Sequence, residues 1–337
     1  MPLNSLVRMI VLILATSFIA HGQFKSTVQL VVAPVTVTDL KGRGVDGLNA
    51  SDLILFDNNV PQATQMDLMN ERISLVVTVQ SSSNSVAILD KLGRSVILLS
   101  QLLAGDAGET ALVSFSGEVR VIQDFTADSD KLTRALRDLR AQGNGVATLE
   151  SLMQALRMLG HRKAGERKVI LMIGESRDRS SKIGISSVVL EAQRQNASIY
   201  WLTYSAFLAP FTNKQKTVGE RKKPEDRGKD PKKDAEVLPP DSGSFNWLTI
   251  FTELAHKTKV DAAAFLSRTT GARTIFFLKQ AALEEAIAAI GEEVHRQYVL
   301  SFQPAPAAAG EFHTIRVEVR RRPELHARTS TGYWAIP

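Results

Sequence analysis

The sequence contains no cysteine in its 337 residues. This absence excludes disulfide scaffolds, cysteine-ligated zinc, iron–sulfur clusters and cysteine nucleophiles. Hydrophobic residues at 44% and charged residues at 23% are typical of a globular protein. The chain is therefore neither wholly disordered nor a membrane protein with many spans, and its function depends on oxygen and nitrogen groups or on its surface.

Long apolar runs are also scarce, and the longest lies at the amino terminus. Residues 1–22 fit a secretory signal, with Arg8 before an apolar run over 9–20 and small residues at Ala20 and Gly22. The run is shorter than the roughly 18–20 residues that span a bilayer. We expect cleavage after Gly22 and a secreted or periplasmic protein that does not span a membrane.

The formal net charge of +6 suggests an acidic partner until its distribution is considered. Residues 213–240 contain nine Lys and Arg side chains, interspersed with acidic residues and prolines. This composition predicts a disordered, solvated insertion at about 206–245. A nucleic-acid surface would need interleaved aromatic residues or a basic face on an ordered element. We therefore expect no nucleic-acid partner.

The apolar pattern divides the chain into three parts. Residues 23–70 alternate with the period of strands and predict an N-terminal β module. Between 71 and 300, buried strands such as Ile73–Val79 and Lys168–Ile173 alternate with helices, which predicts an α/β fold with a doubly wound, mostly parallel sheet. Residues 301–337 predict a C-terminal β extension. A functional site in such a sheet is expected at the carboxyl ends of its strands.

Short sequence pieces in a shared order carry a resemblance to a known family. The chain resembles a von Willebrand factor A-type domain, with details similar to VWFA-related domain proteins of the acidobacterial type. The resemblance implies a Rossmann-like fold and a metal-ion-dependent adhesion site, in which Asp-x-Ser-x-Ser, a Thr and a later Asp hold Mg²⁺ and a partner carboxylate completes the coordination. The matching pieces are Pro34–Asp39, Gly44–Leu48, Phe56-Asp57, Ala111–Phe115, Asp124–Thr126, Glu175–Asp178, Tyr298 and Thr331–Tyr333.

The residues at the positions of that implied site lack both carboxylates. The first Asp position is Gln80 and the later Asp position is Gly174. A divalent cation held by neutral oxygens is not compensated for its lost hydration, so we expect no bound cofactor. The other positions are Ser82, Asn84 and, depending on a one-residue shift, Ala147 or Thr148; a shifted frame of Ser81, Ser83 and Ser85 also lacks the Asp.

Two alternatives remain open from the sequence. Glu175 or Asp178 could replace the missing carboxylates and hold Mg²⁺. Ser176, in Gly174-Glu175-Ser176 after a strand, could be the nucleophile of a hydrolase, although Asp178 stands where that turn motif has Gly and no His is marked as its partner.

The leading prediction is a non-enzymatic binding or scaffold protein with a degenerate metal site. We expect a protein or extracellular polymer to bind at loops 80–85, 143–148 and 174–180, to which the 206–245 insertion could contribute. The candidate contact residues are Ser81, Ser83, Ser85, Asn144, Glu175, Ser176 and Asp178.

Overall fold

The computed structural model describes residues 30–67, 72–105, 107–163, 166–204, 261–277, 280–305 and 310–335. The predicted signal at 1–22 and the predicted insertion at 206–245 lie outside the described residues. In the described parts of the chain, no helix combines the length and apolar character needed to cross a membrane.

The described elements alternate between strands and helices through the middle of the chain. The helices are α1 (Val86–Leu99), which continues as a π-helical turn over Ser100–Ala104, α2 (Ser129–Asp138), α3 (Thr148–Gly160), α4 (Ile185–Arg194), α5 (Ala262–Thr269) and α6 (Gln280–His295). The strands are β1 (Val31–Thr38), β2 (Leu53–Asp57), β3 (Val60–Pro61), β4 (Gln65–Asp67), β5 (Ile73–Gln80), β6 (Glu109–Phe115), β7 (Val119–Thr126), β8 (Arg167–Ile173), β9 (Ala197–Thr203), β10 (Thr274–Phe276), β11 (Tyr298–Phe302), β12 (Phe312–Val319), β13 (His326–Arg328) and β14 (Gly332–Trp334).

A six-stranded sheet forms the centre of the molecule, in the order β10-β9-β8-β5-β6-β7. Its strands pair in parallel except β7, which pairs antiparallel to β6. All eight residues of β5 are buried because helices cover both faces of the sheet. Helices α1, α2 and α6 cover one face, and α3, α4 and α5 cover the other. The predicted α/β, doubly wound fold is confirmed.

Helix α2 shows how local sequence fixes an element boundary. Asp128 precedes its first residue, and the Asp128 carboxylate accepts hydrogen bonds from the backbone N–H groups of Asp130 and Lys131. These bonds satisfy donors that the first helical turn leaves open. The same bonds, with that to Lys131 the larger cause, lower the pKa of Asp128.

Strands from both ends of the chain form two further four-stranded sheets, β13-β1-β11-β4 and β14-β12-β2-β3. The two sheets enclose a third apolar core, to which Val35 of β1, Leu55 of β2 and Leu300 of β11 contribute. Tyr298 ties this core to the first loop, because its hydroxyl donates to the Val45 carbonyl at 2.7 Å. The N-terminal and C-terminal β segments therefore share one sandwich.

A buried ionic cluster joins this sandwich to the central sheet. Glu293 of α6 is 9% exposed and accepts a hydrogen bond from the Tyr200 hydroxyl of β9 at 2.9 Å. Its carboxylate also pairs with Arg273, at 2.7 Å between Nε and Oε2, and with Arg328 of β13. One carboxylate thus connects α6 and β9, which belong to the α/β unit, to a strand of the sandwich.

Candidate functional site

Three loops meet at the carboxyl edge of the central sheet. The amide of Ser81, just after β5, donates to the Phe115 carbonyl at the end of β6, at 2.7 Å. Ser83 donates to the Gly143 carbonyl at 2.8 Å, and Arg179 donates to the Val146 carbonyl at 3.0 Å. These backbone bonds place the predicted loops 80–85, 143–148 and 174–180 side by side.

Gln80 connects the loops of this edge through the hydrogen bonds of its side-chain amide. It is the last residue of β5 and is fully buried. Its Oε1 accepts a hydrogen bond from the backbone N–H of Glu175 at 2.8 Å, which fixes the orientation of the amide. Its Nε2 then donates to Ser82 Oγ at 2.8 Å and to Glu175 Oε1 at 3.1 Å. The amide both donates and accepts, which an ionised Asp cannot do.

Glu175 supplies a carboxylate at this edge, and the protein neutralises it internally. Its side chain is 8% exposed, and Oε2 pairs with Nη2 of Arg179 at 2.5 Å. The Arg179 side chain is 45% exposed, so its guanidinium contacts the carboxylate from the solvent side. Gln80 donates a hydrogen bond to the same carboxylate from the buried side. A buried charge is tolerated when it is paired and hydrogen-bonded in this way.

A chain of hydroxyl groups leads from Gln80 toward α1. Ser82 Oγ lies 3.2 Å from Ser85 Oγ, and Ser85 Oγ lies 3.0 Å from the hydroxyl of Tyr204. Burial raises the pKa of Tyr204, and the charge of Glu175 adds to that increase. These three hydroxyl groups therefore form a neutral, hydrogen-bonded wall beside the carboxylate.

Asp178 has a structural position at the beginning of α3. Its Oδ1 accepts from the backbone N–H groups of Ser180 and Ser181, at 3.1 and 3.0 Å. Its Oδ2 accepts from the N–H of Leu149 at 3.3 Å, and Ser181 Oγ accepts from the same N–H at 3.0 Å. Ala147 stands at the N-cap position and has no side-chain cap bond, so the 174–184 loop caps this helix from outside.

The remaining predicted residues differ in how they are placed. Asn84 and Asn144 are exposed at the edge, whereas Ser176 is partly buried. Ser83 is exposed too, and its Oγ donates to the Gly143 carbonyl at 2.8 Å. Ser81 is buried and its Oγ donates to the Phe115 carbonyl at 3.3 Å. Thr148 is fully buried, and its hydroxyl has no hydrogen-bond partner in the structure.

Gly174 is closely surrounded at the position where the family resemblance implies an Asp. A Cβ atom at this position would lie 3.1 Å from Gln80 Oε1 and 3.1 Å from Phe115 Cζ. Such contacts are tighter than most side-chain contacts in proteins. A side chain at position 174 would therefore require the Gln80 side chain to shift.

The residues at this edge do not fit a Mg²⁺ ion. Magnesium requires several oxygen ligands with compensating negative charge. Here Gln80 directs an NH₂ group at Ser82 and Glu175, and the carboxylate of Glu175 is already paired with a guanidinium. Asp178 is occupied by backbone N–H groups. Throughout the described ranges, no three His, Cys, Asp or Glu side chains are grouped as metal ligands.

A hydrolase that used Ser176 would require a histidine beside it. Within the part of the chain that the structure covers, no histidine is hydrogen-bonded to it. His295 contacts the Leu102 carbonyl, and His313 contacts Asp57 in the sandwich. A serine nucleophile needs a base within hydrogen-bond reach.

Sequence reasoning did not find Arg179 or Tyr204. Arg179 lies four residues after Glu175, yet in a loop this spacing does not indicate a contact. Tyr204 directly follows β9, and its position at the carboxyl end of a strand is the one signal that could have drawn attention to it.

Comparison with known proteins finds a similarity in the central region. Residues 62–176 match the model of the von Willebrand factor type A domain, which covers less than half of the chain. No curated protein sequence matches the chain.

Solved structures that are similar to this chain include three bacterial proteins. One is the vWF domain of the type V pili tip protein Mfa5 from Porphyromonas gingivalis, with 23% identity, a TM-score of 0.28 and coverage of 31% of this chain. The chain spans 38% of the length of that structure. BatB from Bacteroides thetaiotaomicron has 14% identity and a TM-score of 0.40, covering 65% of this chain and 99% of its own. A von Willebrand factor type A protein from Catenulispora acidiphila has 10% identity and a TM-score of 0.45, covering 93% and 75%.

Proposed function

We propose that this chain is a secreted or periplasmic, non-enzymatic binding or scaffold protein. Its A-type domain would engage a protein or an extracellular polymer through loops 80–85, 143–148 and 174–180, without a metal ion. The match over residues 62–176 supports an interaction role, since domains of this type are generally non-enzymatic interaction modules. The amino-terminal signal pattern supports the location outside the cytoplasm.

The observation that carries this proposal is the pairing of Glu175 with Gln80 and Arg179. Where the family resemblance implies a cation between carboxylates, this chain has one carboxylate whose charge is balanced by a guanidinium. A cation at this edge would have to displace Arg179 and would meet the NH₂ group of Gln80. The alternative with Glu175 or Asp178 as metal ligands is therefore not favoured.

The loops are also suited to binding because they are held in place before any partner arrives. Backbone bonds connect Ser81 to β6 and Arg179 to Val146, and side-chain bonds from Asp178 and Ser181 reach α3. A surface that is already ordered loses less conformational entropy on association than a flexible one.

Calorimetric titration of Mg²⁺ and Mn²⁺ into the purified chain tests the metal-independent interpretation. We expect no binding at micromolar concentrations and the same melting temperature with either ion or with a chelator. Partners captured from envelope and culture fluid should be retained in chelator. Micromolar binding of either ion, or loss of specific partners in chelator alone, would contradict the proposal.

A further inference from the structure

A groove between α1 and α2 opens next to the edge loops. Its volume is about 440 Å³, within the range of small-ligand and side-chain pockets. Leu89 and Leu136 are largely buried and line it, whereas Val86 at its margin is 54% exposed. The groove therefore combines apolar side chains with polar ones around a space whose volume is sufficient for one large side chain.

Gly93 creates part of this space. It lies inside α1, where glycine is less favourable than almost any other residue. A Cβ atom at this position would have its nearest neighbour, Arg137 Cγ, at 3.9 Å, which is ordinary van der Waals contact. Packing does not require glycine here, and its effect is to leave the groove open.

The margin of the groove carries more positive than negative charge. Arg137 and Arg140 are exposed and line it together with one acidic residue, Asp90. Arg140 is held in place, since its guanidinium donates to the Arg137 carbonyl at 2.5 Å. An acidic group beside an apolar side chain would complement this margin.

The groove is continuous with the edge that we propose as the binding surface. Val86 directly follows Ser85, and Ala141, also in the lining, directly precedes Gln142. The backbone N–H of Gln142 donates to the Ser81 carbonyl at 2.6 Å. A partner bound at loops 80–85 and 143–148 would therefore reach the groove without leaving the surface.

We propose that this groove binds a short protein segment in which a large apolar side chain is flanked by carboxylates. The apolar side chain enters the space above Gly93, and the carboxylates pair with Arg137 and Arg140. This inference rests on the proposed binding function and adds the chemistry of the partner.

The test is to select peptides that bind the full chain from a displayed peptide library. The wild-type chain should select sequences with Leu, Phe or Met flanked by Asp or Glu. Gly93→Leu should weaken binding of a selected synthetic peptide at least tenfold, while its melting temperature stays the same or rises. Gly93→Ala is the matched control and should keep most of the affinity. Arg137→Glu with Arg140→Glu should shift selection toward basic flanking residues.

Several outcomes would overturn the inference. They are the selection of no peptide, the selection of peptides without the apolar and acidic pattern, and unchanged affinity in Gly93→Leu. Binding only after deletion of residues 213–240 would mean that the chain's own segment occupies the groove. If binding of peptides or partners is unchanged in Gly93→Leu but lost in Arg179→Glu, the groove is not the binding site. That result would still agree with the proposed binding function of the edge loops.

Discussion

Two buried carboxylates, Glu293 and Glu175, are neutralised by arginine in different surroundings. Glu293 lies between the central sheet and the sandwich, and its two arginine partners are each 34% exposed. Glu175 lies at the sheet edge, and its one arginine partner is 45% exposed. The Glu293 cluster connects distant parts of the chain, whereas the Glu175 cluster lies at the surface and connects neighbouring loops. The same chemical pairing therefore joins parts of the framework in one place and orders the loops of the sheet edge in the other.

Glu293→Gln should be the most damaging change in this comparison. It leaves two partly buried guanidinium groups without an anion, and loss of one partner from a buried ion pair typically costs 3–5 kcal/mol. Because both arginines retain some hydration, we expect the free energy of unfolding to fall by about 3 kcal/mol in urea denaturation.

Glu292→Gln is the matched control for that experiment. Its side chain is 61% exposed and pairs with Arg296 on the surface of the same helix. Exposed pairs contribute about 0–1 kcal/mol, so this variant should unfold almost as the wild type does. Equal losses in the two variants would contradict a structural role for the Glu293 cluster.

The two regions should respond alike to alkaline pH, because each contains a buried tyrosine. Burial is the largest cause of the raised pKa of Tyr200 and of Tyr204, with added contributions from Glu293 and Glu175 respectively. In the unfolded chain these phenols ionise near pH 10, whereas in the folded chain they keep their protons to higher pH. Stability that is complete below pH 10 is therefore lost as pH rises toward the folded pKa, by up to about 1.4 kcal/mol per pH unit for each group.

Tyr200→Phe and Tyr204→Phe measure these contributions separately. Each variant should reduce the slope of unfolding free energy against pH between 10 and 11 by about 1 kcal/mol per unit, because the unfolded phenol is only partly ionised over this range. At pH 7 the two should differ, because Tyr200→Phe removes a bond to the carboxylate of Glu293 whereas Tyr204→Phe removes a bond to the neutral hydroxyl of Ser85. An unchanged slope in Tyr200→Phe would show that its hydroxyl ionises in the folded state as it does in water.

Much of this fold follows from local patterns in the sequence. The apolar runs Ile73–Val79 and Lys168–Ile173 predicted the buried strands β5 and β8, and their carboxyl ends correctly located the edge loops. Such elements are predictable because periodicity reports burial directly.

The parts that could not be predicted depend on pairing between distant residues. Strand β1 pairs with β11 and β13 from the other end of the chain, and no local pattern specifies that partner. At the edge, the family resemblance implied carboxylates at the positions of Gln80 and Gly174. The sequence did not indicate that Arg179 would neutralise Glu175, because loop residues have no fixed period.

The smallest expected effect concerns which member of the edge pair is removed. Glu175→Gln should cost about 1 kcal/mol or less, because the remaining Arg179 is 45% exposed and stays hydrated. Arg179→Gln should lower the free energy of unfolding more, because it leaves the Glu175 carboxylate, which is 8% exposed, without its ion pair. The double variant has no unpaired buried carboxylate, so its stability should be close to that of Glu175→Gln. Urea denaturation of the three variants gives this order, and a milder effect of Arg179→Gln would mean that solvent, and not the guanidinium, neutralises Glu175.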